Sequence, residues 1–329
     1  MIQTVFVTSA NPLTQQRAEI LEFSWRRAEQ PGELIRLVAM EPGDELPRHR
    51  HARVEQTVAW SPHPYTGDDY PPYNRAASLL EWLFRERPDG TILLLDPDSV
   101  LLSDVPTEVS AGRVIASPWP EFSAAEAWPL EPGSTYAFLE RFGILRNLEP
   151  AGVTLPLLIH SIDLFRLAAR WLELTGILRE EARDAGLDAD RLAYVVAAAE
   201  WGLVHEDRAF AVAAASMDAA APILEEYEAH IAAGGEAAVL RPQLREGVRE
   251  ARVLDQMLLE IPGKEDTLTL NSSATAIWEL CAKGLTVLEI AHELEARFEA
   301  PEAGLVSDVE MTLGLLEDVG AVDLVTDSP

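Results

Sequence analysis

Between the breakers Pro88-Asp89-Gly90 and Asp96-Pro97-Asp98 runs Thr91-Ile92-Leu93-Leu94-Leu95, an apolar stretch with no polar alternation. Side chains of a strand point to opposite faces in turn, so a half-exposed strand alternates. An unbroken run belongs to a strand covered on both sides. Strands of that kind occur where helices lie over a mostly parallel sheet. The segments upstream fit the same frame. Thr4 to Val7 reads as a short buried strand, Pro12 to Arg27 as a helix, Leu34 to Ala39 as a strand and Val54 to Trp60 as another β-type run. Asn74 to Glu86 carries Ala77, Leu80, Leu83 and Phe84 at helical spacing. Helices dominate again from Ser161 to Glu200, and the expected class is α/β.

A second block follows a change in composition. Residues 226–247 are rich in Glu, Ala and Gly, with Gly234-Gly235 and Arg241-Pro242 as breakers, and read as a linker. The 329 residues then divide into a domain over 1–225 and a smaller one over 248–329. In the smaller domain Val253 to Ile261 and Thr267 to Leu270 read as strands joined at Pro262-Gly263-Lys264. Helices are expected over Ala274 to Cys281, Thr286 to Phe298 and Ser307 to Val319. The last two open with Thr286-x-x-Glu289 and Ser307-x-x-Glu310, where a hydroxyl and a carboxylate can satisfy each other's backbone N–H groups. Ala321 to Val325 closes the block as a strand, which suggests a small α+β winged helix-turn-helix.

Charge narrows the function. With 55 acidic against 26 basic residues the net charge is −29, and such a chain repels phosphate backbones and anionic lipid. From Arg241 onward there are 18 acidic and 7 basic residues, and no Lys or Arg follows Glu299. A DNA recognition helix without a basic residue would present acids to phosphates, so neither nucleic acid nor membrane is an expected partner. One cysteine, Cys281, excludes an internal disulfide framework and any multi-cysteine metal site. No apolar run reaches the ~20 residues of a membrane span, and Met1 leads directly into a strand with no basic lead-in. A cytoplasmic location is expected.

Asp96 and Asp98 follow the buried strand, and ligands of open α/β sheets bind beyond the carboxyl ends of strands. Two carboxylates at alternate positions of one turn can hold a hard cation, Mn²⁺ or Mg²⁺, whose shell a diphosphate completes. Asp and Pro are also common turn formers, so the pair by itself leaves both readings open. Upstream stand Asp68-Asp69-Tyr70-Pro71-Pro72-Tyr73-Asn74-Arg75 and the helix ending Glu81-Trp82-Leu83. Together with Leu94-Leu95-Asp96-Pro97-Asp98 these resemble the peptidyl hydroxyproline and serine glycosyltransferases of the glycosyltransferase-A fold. Asp190-Arg191-Leu192-Ala193-Tyr194 is similar to that family's acidic-x-Tyr-Ala-Tyr segment, with Leu192 in place of one aromatic.

The resemblance implies transfer of a sugar from a nucleotide-sugar donor, a UDP-sugar, to a peptide hydroxyl. Thr8 and Ser9, at the end of the first strand, would border the nucleotide, and Asn74 and Arg75 would face the donor. Asp96 and Asp98 would hold the cation. Asp190 would serve as general base for the acceptor hydroxyl or as a sugar-binding acid. The family closes its sheet with an apolar segment ending in His-Tyr, whose histidine completes the metal shell. Here Pro222-Ile223-Leu224-Glu225-Glu226-Tyr227 stands in that place. Glu225 is the candidate substitute ligand, with His230 as another.

Leu268-Thr269-Leu270-Asn271, Ala276-Ile277-Trp278 and Gly284-Leu285-Thr286-Val287-Leu288-Glu289-Ile290, with Asp308, Leu313 and Gly320 later, resemble the PqqD-type family. Its members are recognition elements for ribosomally made, modified peptides. In that family a leader peptide adds as a strand to the sheet edge and packs against the last helix. The resemblance places the leader along Thr267, Leu268, Thr269 and Leu270, with Met311 and Leu315 as apolar contacts. The partner implied is a precursor peptide, leader plus core. Two functions follow: a peptide glycosyltransferase, or a catalytically inactive relative that presents the peptide to other enzymes. His49 and His51 read as a solvated loop, Trp119 and Trp128 as groove or packing residues, and Cys281 as an inert buried thiol.

Overall fold

A computed structural model describes the chain apart from residues 1, 11, 42, 45, 47–50, 119–152, 183–187, 209, 215–217, 233–238, 254–255, 265–266, 299–308, 310–311 and 328–329. His49, Trp119, Trp128, Asp308 and Met311 lie outside the described residues. The chain forms two compact units. The first gathers Met1–Ala10, Trp25–Pro97 and Ser103–Val212, and the second Asn11–Ser24, Asp98–Leu102 and Ala213–Pro329.

The first unit is built on a seven-stranded mixed sheet. Its strands are β1 (Gln3–Ser9), β2 (Glu33–Met40), β3 (Arg53–Val58), β4 (Thr91–Leu95), β6 (Arg113–Pro118), β7 (Val153–His160) and β8 (Val204–Asp207); β5 (Ser99–Leu101) pairs elsewhere, with β9 (Val212–Ala214). The spatial order is β3-β2-β1-β4-β7-β6-β8, and β7 alone runs against its neighbours β4 and β6. All five residues of β4 are buried, as their unbroken apolar run requires.

Helix α1 spans Pro12–Arg27 and α2 spans Tyr73–Glu86; α3 (Ser161–Ala182) and α4 (Ala189–Glu200) follow. Val5, Val7, Ile35, Leu37, Ile92 and Leu94 face one side of the sheet and share a core with Leu79, Trp82 and Leu83 of α2, Trp171 of α3 and Tyr194 of α4. The alternate residues point the other way, where Trp25 Nε1 donates to Thr4 Oγ1 over 3.2 Å. The buried stripe of α2 is rotated from the one the sequence suggests: Leu79 and Trp82 are fully buried, whereas Phe84 is 66% exposed. Counting only Ala77, Leu80, Leu83 and Phe84 misplaced it, because the core takes a broader face of the helix.

In the second unit β11 (Arg249–Val253), β12 (Gln256–Glu260) and β13 (Leu268–Leu270) form an antiparallel sheet. The run read as one strand over Val253 to Ile261 is therefore the end of one strand and the whole of the next, paired from Arg249↔Glu260 to Val253↔Gln256. The stretch read as a linker is also largely structured among its described residues. It carries most of α5 (Ala221–Ala232) and β10 (Val239–Leu244), the latter in antiparallel register with β14 (Val322–Asp327). The partner strand of β10 comes from the far end of the chain, which local composition does not reveal.

Helices α6 (Ser272–Cys281) and α7 (Val287–Phe298) end where expected, α6 beginning two residues before Ala274 and α7 one residue after Thr286. Asn271 Oδ1 accepts from the Ala274 N–H at 2.8 Å and caps α6. At α7 the reciprocal box forms, with the Glu289 N–H donating to Thr286 Oγ1 at 3.1 Å and the Thr286 N–H to Glu289 Oε2 at 2.7 Å. Ile277, Trp278, Ile290, Leu294, Leu313 and Leu316 close a common core with Met257, Leu259 and Leu270. Cys281 belongs to that core, and burial pushes its thiol up to about 12, so it stays protonated. No helix among the described residues is long and apolar enough to cross a membrane.

One glycine is tied to the start of the large sheet. Gly32 has φ +101°, and a Cβ there would lie 2.1 Å from the carbonyl oxygen of Ile2, which accepts from the Glu33 N–H. Gly32→Ala is expected to cost about 2 kcal/mol or more, since both the backbone conformation and the space are closed to it. Urea unfolding with an unchanged m-value and a lower midpoint would record this; an unchanged midpoint would contradict it.

Candidate functional site

Strand order fixes where a ligand can enter. From β1 the chain proceeds to β2 on one side, while β4 lies on the other side of β1, so the crevice opens beyond the carboxyl ends of β1 and β4. Phe6 pairs with Leu95, which leaves Thr8 and Ser9 projecting past the last paired residue of β4, next to Asp96. Thr8 is buried, and its Oγ1 accepts from Arg36 Nε at 2.8 Å. Ser9 is half-buried at the strand end.

Arg75 lies in the first turn of α2 and reaches into this crevice. One guanidinium nitrogen pairs with Asp96 Oδ1 and the other with Asp190 Oδ2. The helix starts where it does because Tyr70, Pro71 and Pro72 accept from the N–H groups of Tyr73, Asn74 and Arg75 in successive tight turns. Asn74 is buried beside it, and its Oδ1 accepts the Trp60 N–H at 2.6 Å, which holds the end of β3 to the start of α2. Thr8 and Asn74 therefore each give a side-chain oxygen to the protein's own groups.

Asp190 is placed by α4. Asp188 caps that helix by accepting from the Arg191 N–H at 3.2 Å, and Asp190 sits in the first turn at 1% exposure. Its carbonyl oxygen accepts from Trp171 Nε1 at 2.7 Å, and its N–H donates to the Tyr70 hydroxyl at 3.4 Å. Oδ1 is buried and meets no protein donor among the described residues. A buried acceptor without a partner costs about 1–3 kcal/mol.

Burial pushes the Asp190 carboxyl up to about 6, against the pull of Arg75, with Asp188 and Asp96 adding to the rise. Burial works against the Arg75 cation, but the flanking carboxylates outweigh it and hold the proton more firmly than in water.

A second ion pair supports the first. Arg179 Nε and Nη2 meet Asp68 Oδ2 and Oδ1 at 2.9 and 3.0 Å, and the Tyr73 hydroxyl donates to Asp68 Oδ2 at 3.1 Å. The guanidinium of Arg179 lies 4.4 Å from the centre of the Tyr70 ring. Asp68 and Tyr70 belong to the motif that drew attention in the sequence. Arg179 and Trp171 carried no local signal, since each acts on residues far away in the chain.

The remaining candidates lie as follows. Asp96 and Asp98 are both half-buried in the turn after β4. Among the described residues no three His, Cys, Asp or Glu side chains gather closely enough to hold a metal ion. Glu225 is exposed on α5, a helix rather than a sheet-closing strand, whose Ile223 and Tyr227 are buried with Ile20 and Val100. In the second unit Leu270 is buried, Leu268 packs against the core, Thr267 and Thr269 are exposed, and Leu315 is 61% exposed. Among the described residues β13 has a hydrogen-bonded neighbour on one side only.

Comparison with known proteins finds two kinds of likeness. Residues 257–322 match the family model described as coenzyme PQQ synthesis protein D (PqqD). A peptidyl serine alpha-galactosyltransferase from Arabidopsis thaliana is 28% identical over 194 residues, a match that covers 56% of this chain and 23% of that protein. The chain thus spans about a quarter of the curated relative it matches. Among solved structures, TbiB1 in complex with the TbiA(beta) leader peptide is 18% identical with a TM-score of 0.24, covering 25% of this chain and 94% of that one. A lasso peptide synthetase B1 complexed with the leader peptide is 20% identical with a TM-score of 0.24, covering 25% and 98%.

The Asp190 carboxyl has a pH signature. Its folded pKa, about 6, lies above the unfolded 3.8, so the folded state binds the extra proton. Its contribution to stability is full below about pH 4 and is lost as pH climbs through about 6. In Arg75→Met the upper edge of that window is expected to move higher, because the cation that favours the carboxylate is gone. Denaturation midpoints measured across pH in both proteins test this; an edge that stays or falls contradicts it.

Proposed function

We propose that the chain is a sugar transferase that moves a glycosyl group from a nucleotide-sugar donor to a hydroxyl of a ribosomally made precursor peptide. Its C-terminal domain holds the leader. The observation that carries this reading is the Asp96–Arg75–Asp190 arrangement at the crevice beyond β1 and β4. The likeness to a peptidyl serine alpha-galactosyltransferase and the PqqD match supply the class of acceptor. On this reading the sheet unit is of the glycosyltransferase-A type and the C-terminal domain a winged helix-turn-helix.

The acids present suit a cation that brings most of its shell with the donor, not one caged by protein. Mg²⁺ and Mn²⁺ commonly use one or two carboxylates and substrate phosphates. Asp96 and Asp98 would hold it, with Glu225 as the candidate for a third oxygen, and when bound it would supply Lewis-acid neutralisation of the departing diphosphate. Arg75, paired with Asp96 and Asp190, would face the donor and hold both carboxylates beside it. Thr8 and Ser9 border the nucleotide, and Asn74 orients the turn that carries Arg75.

In the transfer the acceptor oxygen bonds to the anomeric carbon, and the bond from that carbon to the diphosphate breaks, its electron pair leaving with the nucleotide. The hydroxyl proton passes to Asp190, whose open Oδ1 is the atom that receives it. A base must be ionised, so activity rises through the Asp190 pKa of about 6. Asp190→Asn is expected to lower kcat about 10²–10⁴-fold while the protein still binds UDP. Turnover that survives the substitution would move Asp190 from base to sugar contact.

β13 offers the unpaired edge for the leader, with Thr267 to Leu270 supplying backbone groups and Leu315 an apolar contact; Met311 is proposed to join it. Tethering a leader raises the local concentration of its core to about millimolar. Excess free leader peptide should therefore raise the apparent KM of the full-length precursor about tenfold and leave a leaderless core peptide unaffected. Equal effects on both would remove the leader from the scheme.

The engagement of Asp96 by Arg75 and the absence of a three-donor cluster among the described residues favour a second reading, a peptide-presenting scaffold without catalysis. Calorimetry with Mn²⁺ and UDP separates the two, because the transferase binds both and the scaffold neither.

A further inference from the structure

The two edges of the large sheet are finished differently. At β3 the Val58 N–H donates to Glu81 Oε2 at 3.0 Å and Arg85 Nη1 to the Gln56 carbonyl at 3.3 Å, while Arg85 Nη2 meets Glu55 at 2.6 Å. Charged side chains laid along an edge strand keep other strands away. At the opposite edge, β8 is flanked by apolar side chains. Val204 is 58% exposed and Trp201, at the end of α4, 53%; Ile162 and Phe165, in the first turn of α3, are exposed as well.

Short bonds draw these residues to one corner of the unit. Gly112 donates its N–H to Asp163 Oδ2 at 2.6 Å and accepts at its carbonyl from the Val204 N–H at 3.0 Å. Arg170 of α3 reaches Glu200, the residue before Trp201, at 2.7 and 2.8 Å. Register shows which end of the sheet this is. Thr91 pairs with His160, Val114 with Ile159 and Arg113 with Val204. The corner therefore lies level with the start of β4, whereas the crevice opens beyond its last residue, Leu95. A partner seated at the corner leaves the crevice open.

Charge selects the kind of partner. The whole chain carries −29, so two copies repel across ordinary stretches of its surface. This corner is balanced instead. Among its described side chains Arg113, Arg166, Arg170 and Arg208 stand with Asp163, Glu173, Glu200 and Glu206, and Arg113 holds Glu206 at 2.9 Å. Such a balance gives a strongly charged ligand little to answer, yet lets a copy approach. The strand also complements itself. The N–H groups of Val204 and Arg208 donate to Gly112 and Ala116, so the two-residue period of a strand turns the backbone between them outward in part. A two-fold axis at 207 sets Glu206 of each copy opposite Arg208 of the other, two attractive pairs against the one pair of Asp207 residues on the axis.

We propose that the β8 corner is a self-association surface, where a second copy of this chain adds its β8 antiparallel to the first. A two-fold contact uses the same patch on both partners, so Trp201, Val204, Ile162 and Phe165 are covered by their counterparts. Apolar side chains gathered at an open strand edge are the kind of surface that marks such an interface. The inference stands apart from the transferase reading, since it uses none of the residues at the crevice.

The test is sedimentation equilibrium on the full-length protein, with circular dichroism of each variant as the check on folding. The wild type is expected to form a dimer with a Kd of about micromolar. Val204→Lys should raise that Kd about tenfold or more, and Glu206→Arg should do the same. The double variant Glu206→Arg, Arg208→Glu should return it to the wild-type value, because the swapped charges still meet across the axis. A wild type that stays monomeric at about 100 µM overturns the proposal. A dimer that survives both single substitutions also overturns it, since association then runs through another surface. A double variant as weak as Glu206→Arg alone overturns the antiparallel pairing of β8 with its copy.

Discussion

The guanidinium of Arg75, caught between Asp96 and Asp190, is the contact on which the arrangement beyond the ends of β1 and β4 depends. It joins the end of a buried strand, the first turn of one helix and the first turn of another. Asp190 is almost wholly removed from water and Asp96 partly so, and the one cation answers both carboxylates. Loss of any one member leaves a buried charge unanswered. The arrangement is therefore less a source of stability than a specification of how α2, α4 and β4 must meet. One oxygen, Asp190 Oδ1, is left over from that specification, buried and without a hydrogen-bond partner among the described residues.

Around this contact the chain uses distant groups to hold short ones in place. Trp171 fixes the Asp190 carbonyl, Arg179 fixes Asp68, and Asn74 fixes Trp60. The same Tyr70 that lies beneath Arg179 touches the Asp190 backbone, so the segment before α2 and the acidic site are parts of one bonded network. Positional accuracy in a site of this kind comes from such supporting contacts rather than from the reactive groups themselves. The C-terminal unit solves a different problem. It closes a small core with capped helices and leaves the β13 edge open, a suitable surface for adding a strand.

Much of the fold was legible from local pattern. β4 coincides with its apolar run, and the Thr286–Glu289 box forms bond for bond, because burial on both faces and helix capping are set by residues within one strand or one turn. Where the reading failed, the missing information was non-local. Phe84 turned outward because β1, β2, β3 and α3 all pack on α2 and choose its face. The 226–247 stretch proved structured because β10 finds its partner some eighty residues later.

The order of residues alone determined that this chain alternates strands and helices, that two carboxylates follow a doubly buried strand, and that a capped helical block ends it. These features depend on spacing within a few residues, where side-chain direction follows directly from backbone period. Only the tertiary structure decided that Arg75 meets an aspartate 115 positions away, and that one oxygen of that aspartate is left open. Such encounters depend on sheet order and on which helix face is buried, and both are settled by packing the whole domain at once.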